Sequence, residues 1–299
     1  MERLIDPSED ALMMNTRQTT TTTPTTTVVI GATGKTGRRV AERMSVVGST
    51  VRAASRSGEV HFDWNDRTTW TPALTGADAA YITYYPDLAL PGAADVVGAF
   101  AELAVAHDVR RLVLLSGRGE EGARLAEQRV QDSGADWTLV RCAFFNQNFD
   151  EAFADAIRAG VLAVPGGQTV EPFLDADDIA DVVVAALTDE RHIGQLYELT
   201  GPRLMSFGDV ATELSAVLGH EVRRVPLSTA EFTAELIAAG FPEGEAVPIA
   251  ELFAEVLDGR NSHLTDGVMQ ALGREPRDFA DYARDAAATG VWDRAGVPS

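Results

Sequence analysis

The sequence predicts a doubly wound α/β fold: a parallel sheet with helices on both faces, joined to a smaller, interleaved C-terminal α/β lobe. Three observations carry that expectation. The β-branched run Val28-Val29-Ile30 breaks into Gly31, Gly34 and Gly37 and then into Arg38-Arg39-Val40-Ala41-Glu42-Arg43-Met44, which reads as strand, tight turn and helix start. Apolar strand-like runs then alternate with helical periodicity as far as Cys142, as a parallel sheet with right-handed crossovers requires. Beyond Cys142 the alternation gives way to short strands and amphipathic helices with no Pro/Gly/Ser linker between, so the second lobe is interleaved with the first. The expected division is a tail at 1–27, a first domain at 28–160 and a lobe at 161–299.

The bulk properties narrow the partners. With 299 residues, 45% of them hydrophobic, the chain has ample material for a buried core. Its formal net charge of −20 argues against nucleic acid or an anionic membrane as partner, since both need clustered Lys and Arg. The tail holds a run of threonines around Pro24 and almost nothing to bury, so it reads as disordered. It has neither the basic start nor the apolar core of a secretory signal, and no window approaches the roughly 20 apolar residues of a membrane span, so a cytoplasmic protein is expected. The single cysteine, Cys142, excludes an intramolecular disulfide. Five scattered histidines, without an i, i+4 pair, give no reason to expect a metal.

Taken in order, the glycine turn comes first. Glycine is wanted where a backbone bends sharply and lies against a ligand, and the free N–H groups of a helix's first turn attract an anion. A phosphate-bearing nucleotide is the expected guest, in a fold of the Rossmann type. The spacing is Gly-x-x-Gly-x-x-Gly rather than the commoner Gly-x-Gly-x-x-Gly, so the loop alone does not decide the matter. Val40, Met44 and Val47 recur at helical spacing and Gly48 stops that helix. The second strand, at residues 50–54, runs into Ser55 and Arg56, where such folds meet the adenosine ribose. An acidic residue there would favour NAD(H); a hydroxyl and a guanidinium instead suit the 2′-phosphate of NADP(H), although a solvated turn arginine is the plainer alternative. Asp63 and Trp64 then fall beside the adenine, Asp63 accepting from the exocyclic amine or else capping the short helix that ends at Leu74.

A fourth strand, at 79–83, ends in Thr83-Tyr84-Tyr85-Pro86 at the carboxyl edge of the sheet, where ligands bind in open α/β sheets. Tyr84 and Tyr85 are therefore candidates for lining a substrate pocket. A helix at 93–107 buries Val96, Phe100, Leu103 and Ala104, and the fifth strand, 111–116, closes on Ser116. A helix from Leu125 to Gln131 and a strand at 137–142 complete the alternation. Phe144-Phe145-Asn146-Gln147-Asn148-Phe149 follows just past a strand end, so Phe144, Phe145 and Asn146 are expected to cover the cofactor's reactive ring and part of a substrate. Farther on, a strand is expected at 170–174, a helix from Asp177-Asp178 through Val184, a strand at 195–199, and helices at 207–218, after Ser228 and around Ala250 and Phe279. Asp177 and Asp178 look like a paired-carboxylate site, but their place before an apolar run favours a helix N-terminus. Cys142 ends an apolar strand and reads as inert rather than nucleophilic.

The glycine loop, the stretches Phe62-Asp63-Trp64-Asn65-Asp66 and Phe145-Asn146-Gln147-Asn148-Phe149, and the segments Asp175-Ala176-Asp177-Asp178-Ile179-Ala180 and Tyr197-Glu198-Leu199-Thr200-Gly201-Pro202 together resemble the NmrA-like branch of the atypical short-chain dehydrogenase/reductases. Within that branch the sequence is most similar to bacterial relatives of the festuclavine dehydrogenases and the type-2 NAD(P)H:quinone oxidoreductases. The resemblance covers residues 28–292 and implies an NAD(P)-binding Rossmann domain with a small C-terminal substrate lobe. It implies pyrophosphate contact for Gly31, Thr33, Gly34, Lys35, Thr36 and Gly37, and 2′-phosphate contact for Arg56 with Ser55. It also implies adenine contact for Asp63, and contact with the nicotinamide for the segment Cys142 to Phe145, with Cys142, Ala143 and Phe144 counted as cofactor residues together with Trp64 and, at its strand end, Thr83.

One departure shapes the functional expectation. Common short-chain enzymes protonate the developing alkoxide from a Tyr-x-x-x-Lys pair on the helix after the fifth strand. Here that stretch, 117–127, has neither residue. Ser116 stands where those enzymes keep a strand-end hydroxyl, and with Tyr84 it is the candidate catalytic residue, though a neutral serine is a poor acid. The chemistry expected is hydride transfer from NADPH to a planar, electron-poor small molecule such as an iminium, quinone or enone, which depends mainly on positioning. A protein that senses NADP(H) without turnover is the second reading, favoured by the same missing pair.

Overall fold

The computed structural model describes residues 25–293. The threonine-rich run before Thr25 lies outside the described residues. Strand β1 (Thr26–Ile30) begins two residues earlier than expected, with Thr27 fully buried and its hydroxyl 3.0 Å from that of Ser49. The chain continues through α1 (Lys35–Val46), β2 (Thr50–Ser55), β3 (Val60–His61), α2 (Trp70–Leu74), β4 (Ala79–Ile82), α3 (Ala93–Ala106), β5 (Arg111–Gly117), α4 (Glu121–Asp132) and β6 (Asp136–Cys142). After α5 (Ala154–Arg158), β7 (Val161–Val164), β8 (Val170–Glu171) and α6 (Ala176–Thr188), strand β9 (Gln195–Leu199) returns to the main sheet. The remainder is β10 (Met205–Ser206), α7 (Phe207–Leu218), β11 (Arg223–Pro226), α8 (Thr229–Ala238), α9 (Glu243–Val256), α10 (Gly267–Leu272) and α11 (Phe279–Ala288).

Seven strands form one parallel sheet in the order β3-β2-β1-β4-β5-β6-β9, the doubly wound arrangement that the alternation predicts. Because side chains alternate across a strand, β1 sends Val28 and Ile30 to one face and Val29 to the other. On the first face, Phe62, Trp64, Trp70 and Phe100 make edge-on ring contacts under α2 and α3. On the second, Val40 and Met44 of α1 pack with Ile179 and Val183 of α6. A third core, built around Phe149, Phe173, Phe207, Phe279 and Trp292, holds the C-terminal lobe.

The strand expected at 170–174 is only β8, two residues long. Pro172 cannot donate to a ladder, and Leu174 instead bridges to Phe145 beside β6. Asp175 caps α6, accepting from the backbone N–H of Asp177 at 2.8 Å. Asp177 and Asp178 sit in the first turn, as expected of a helix N-terminus, and are held by arginines: Asp177 by Arg43 at 2.5 Å, and fully buried Asp178 by Arg274 and Arg277 at 2.7 and 2.5 Å. No helix among the described residues is long and apolar enough to cross a membrane.

Candidate functional site

The glycine turn is set by close approach. Gly31 has φ +71° and its N–H, like that of Ala32, donates to the Ala54 carbonyl, at 2.9 and 3.3 Å. A Cβ on Gly31 would fall 2.3 Å from Thr83 Oγ1, and one on Gly37 would fall 2.1 Å from the Gly31 carbonyl oxygen. The three-residue spacing thus presses the first turn of α1 onto the turn after β1. Thr83 donates its hydroxyl to the Ile30 carbonyl at 3.0 Å, so it braces the loop. The Thr36 side chain faces inward and accepts from the Tyr81 hydroxyl at 2.9 Å. What remains outward is an N-terminus whose cap, Gly34, offers no side-chain acceptor and whose first turn carries no acidic residue. Its amide groups and positive dipole end fit a pyrophosphate. Thr33 and Gly34 are exposed there, and Lys35 pairs with Glu151 at 3.2 Å.

At the end of β2 the Ser55 hydroxyl is buried without a hydrogen-bond partner, and the Arg56 guanidinium lies over the Tyr85 ring, 4.6 Å from its centre. An orphaned hydroxyl next to a stacked guanidinium fits a 2′-phosphate. Asp63 caps nothing; Asp66 caps the turn that leads into α2. One Asp63 carboxylate oxygen accepts from the Asn65 N–H at 2.9 Å. The Trp64 indole is turned into the core, donating to the Thr83 carbonyl at 3.1 Å.

A cleft of about 350 Å³ opens beyond the carboxyl ends of β4, β5 and β6. It brings together Lys35, Tyr84, Ser116, Cys142, Ala143, Phe144 and Phe145, seven residues expected at the site, with Phe253 and Leu257 from α9 and the loop after it closing the far wall. Two expected pocket residues lie elsewhere. Asn146 is fully buried outside the cleft lining, its side-chain amide unpaired among the described residues and its backbone N–H bonded to the Leu174 carbonyl at 2.8 Å. Tyr85 is half exposed and serves as the platform under Arg56. Phe144 touches the cleft with one face while Phe149, Phe173, Phe207 and Phe253 surround it at 5.6–5.9 Å.

The two candidate catalytic residues are both in place, but neither is a ready acid. Ser116 directs its one hydroxyl proton to Glu127 Oε1 at 2.6 Å. Glu127, 3% exposed, is held by Arg141 through two bonds of 2.8 and 2.6 Å. Burial raises the pKa of Tyr84. Burial also pushes the Cys142 thiol well up, which leaves it inert.

Sequence reasoning missed three carboxyl groups on the cleft wall: Asp87, Glu120 and Glu171. Burial, with the negative charges of Asp87, Glu255 and Glu127 behind it, pushes Glu120 up to about 8. Burial likewise lifts Glu171 to about 7, against the pull of Arg118. Arg118 itself is 2% exposed and committed to Glu198 at 2.8 Å. The only hint in the sequence was Gly117, which leaves room for the Glu120 side chain to fold back over the end of β5.

Comparison with known proteins agrees with this geometry. Residues 31–190 match the model of a family described as NAD(P)H-binding. The NAD(P)H azoreductase of Xenophilus azovorans is 31% identical over 282 residues, spanning 87% of this chain and 97% of that one. The agroclavine dehydrogenase of Claviceps fusiformis is 29% identical over 274 residues, spanning 85% and 95%. Among solved structures, the negative transcriptional regulator NmrA in complex with NAD superposes with a TM-score of 0.68 at 19% identity, covering 90% of this chain and 98% of that one. The glycine turn, the orphaned ribose-side hydroxyl and these likenesses agree: the chain belongs to the NAD(P)H-binding family, has the fold that NmrA shares, and is an NAD(P)-dependent oxidoreductase.

Proposed function

We propose that the protein uses NADPH in preference to NADH to reduce a planar, electron-poor small molecule held in the cleft beyond β4, β5 and β6. When bound, the dinucleotide supplies a hydride. Gly31, Thr33, Gly34, Lys35, Thr36 and Gly37 would hold its pyrophosphate, Ser55 and Arg56 its 2′-phosphate, Asp63 its adenine, and the 142–144 segment its nicotinamide. Tyr84, Phe144, Phe145 and Phe253 form flat apolar walls that orient an aromatic or conjugated acceptor and exclude water from it.

The observation that carries this reading is the continuity of one cleft from Lys35 at the glycine turn to the aromatic wall, with Ser116 and three carboxyl groups in its lining. That the relatives bear the names azoreductase and dehydrogenase supports a redox role. The test is a titration with NADPH and NADH, followed by NADPH oxidation against iminium, quinone and enone acceptors. Tight NADPH binding with no oxidation by any of them would defeat the reading and favour a sensor.

A further inference from the structure

We propose that Glu120 is the acid of this site, delivering a proton to an acceptor whose hydride adduct is an oxyanion or enolate, so that neutral conjugated carbonyls, enones and quinones, are the substrate class. This rests on the reductase reading above. Glu120 occupies the N-cap position of α4 yet caps nothing, and its carboxyl group makes no hydrogen bond among the described residues. Instead the side chain folds back over the end of β5, so that a Cβ on Gly117 would fall 2.0 Å from one carboxyl oxygen and 2.2 Å from the other. That puts the carboxyl group in the cleft beside Ser116, and its residue stays partly exposed to water.

Burial and three neighbouring carboxylates favour its protonated form. Asp87 faces it from the loop after β4, Glu255 from α9 and Glu127 from its own helix, and burial acts in the same direction. The cations lining the cleft are occupied, Arg118 with Glu198 and Lys35 with Glu151. The rival donors are weaker: Ser116 gives its proton to Glu127, Asp87, raised by burial, is pulled back as an acceptor by the Ala89 N–H at 2.8 Å, and burial holds the Tyr84 proton more tightly still. Glu171, the remaining carboxyl, has one oxygen sealed from solvent.

In the step itself, the acceptor carbon gains hydride with its electron pair from NAD(P)H and the adjacent oxygen or α-carbon becomes anionic. The Glu120 O–H bond breaks, a new O–H or C–H bond forms on the adduct, and the carboxylate recovers its proton from water. The overall change is addition of one hydride and one proton across the double bond.

The experiment compares wild type with Glu120→Gln and Asp87→Asn. Carboxyl ¹³C titration of the cofactor-free protein should place Glu120 near 8, with Asp87→Asn moving the midpoint down. With NADPH, enone turnover by wild type should fall above that midpoint. Glu120→Gln should lose about 100-fold or more in kcat and the pH dependence with it, while NADPH affinity is unchanged. An N-alkyl iminium, whose adduct is a neutral amine that needs no proton, should keep its rate in Glu120→Gln, which a merely structural defect would not allow. A Glu120 midpoint near 4.5, or enone turnover by Glu120→Gln at the wild-type rate, overturns the proposal. Wild type that binds NADPH but transfers hydride to none of the acceptors, iminium, quinone or enone, overturns the reductase reading and this inference together.

Discussion

Replacing Gly37 with alanine tests the cofactor assignment at its most constrained point. The new Cβ would lie 2.1 Å from the Gly31 carbonyl oxygen and 2.7 Å from its carbon, where ordinary contact begins at 3.4 Å. Both atoms are backbone, so no rotamer relieves the clash, and α1 must retreat by about 1.3 Å. It is poorly free to do so: Val40 and Met44 are fully buried, and Arg43 ties the helix to Asp177 and Asp181 of α6 at 2.5 and 2.9 Å. The cofactor-free protein should therefore lose about 1–3 kcal/mol of stability, the usual cost of overpacking. Amide donors displaced by about an ångström should weaken NADPH binding about 100-fold. In thermal unfolding, NADPH at 100 times the wild-type Kd stabilises wild type by about 2.7 kcal/mol; a variant binding 100-fold more weakly gains only about 0.4 kcal/mol at that concentration. A variant that keeps the full cofactor-induced shift would refute the placement of the pyrophosphate on this turn.

Other substitutions probe the rest of the site. Arg56→Ala removes a charge-assisted phosphate contact worth about 1.5–3 kcal/mol, so NADPH affinity measured by fluorescence titration should fall about 10- to 100-fold while NADH affinity holds; equal losses would strip Arg56 of its role. Glu127→Gln breaks the paired bonds from Arg141 and loosens Ser116, and the urea midpoint should fall by the equivalent of about 1–3 kcal/mol with an unchanged slope. Burial alone would raise the Asp177 pKa, but the hydrogen bond from Arg43 and the charges of Arg39, Arg43 and Arg277 outweigh it and hold it below the usual carboxylate range. A lowered folded-state pKa means stability that is present at neutral pH and lost as pH falls through that range; Asp177→Asn should flatten the acid limb of unfolding, and an unchanged limb would count against the α1–α6 clamp.

What could be read from the chain followed from periodicity and from glycine. The strand runs at β1, β4, β5 and β6 are buried on both faces, so their apolar composition marks them without tertiary help. Gly37 is required by its contact with Gly31 six residues earlier and Gly31 by its own positive φ, which is why the turn was legible, although the approach of Thr83 to Gly31 was not. The substrate end was not. Asp87 in a loop, Glu120 at the N-cap of α4 and Glu171 in the short strand β8 lie more than 30 residues apart in turn, and only the folded chain brings them to one cleft. Tyr84 and Tyr85 show the same limit at closer range: adjacent in sequence, one lines the cleft and the other lies under Arg56 outside it. Asn146 looked like a pocket amide by its neighbours, yet it is buried outside the cleft lining, next to the bridge between Phe145 and Leu174.

The last strand of the main sheet, β9, runs from residue 195 and covers the flank of β6 with five paired positions. The molecule consequently has no seam along which the nucleotide-binding half could be cut free. A fragment ending at residue 160 would leave the backbone N–H and C=O groups of β6 open along its outer edge, a row ready to recruit a strand from a neighbouring fragment. Such a piece should self-associate rather than report on cofactor binding, and dissection of this protein belongs at the level of single side chains.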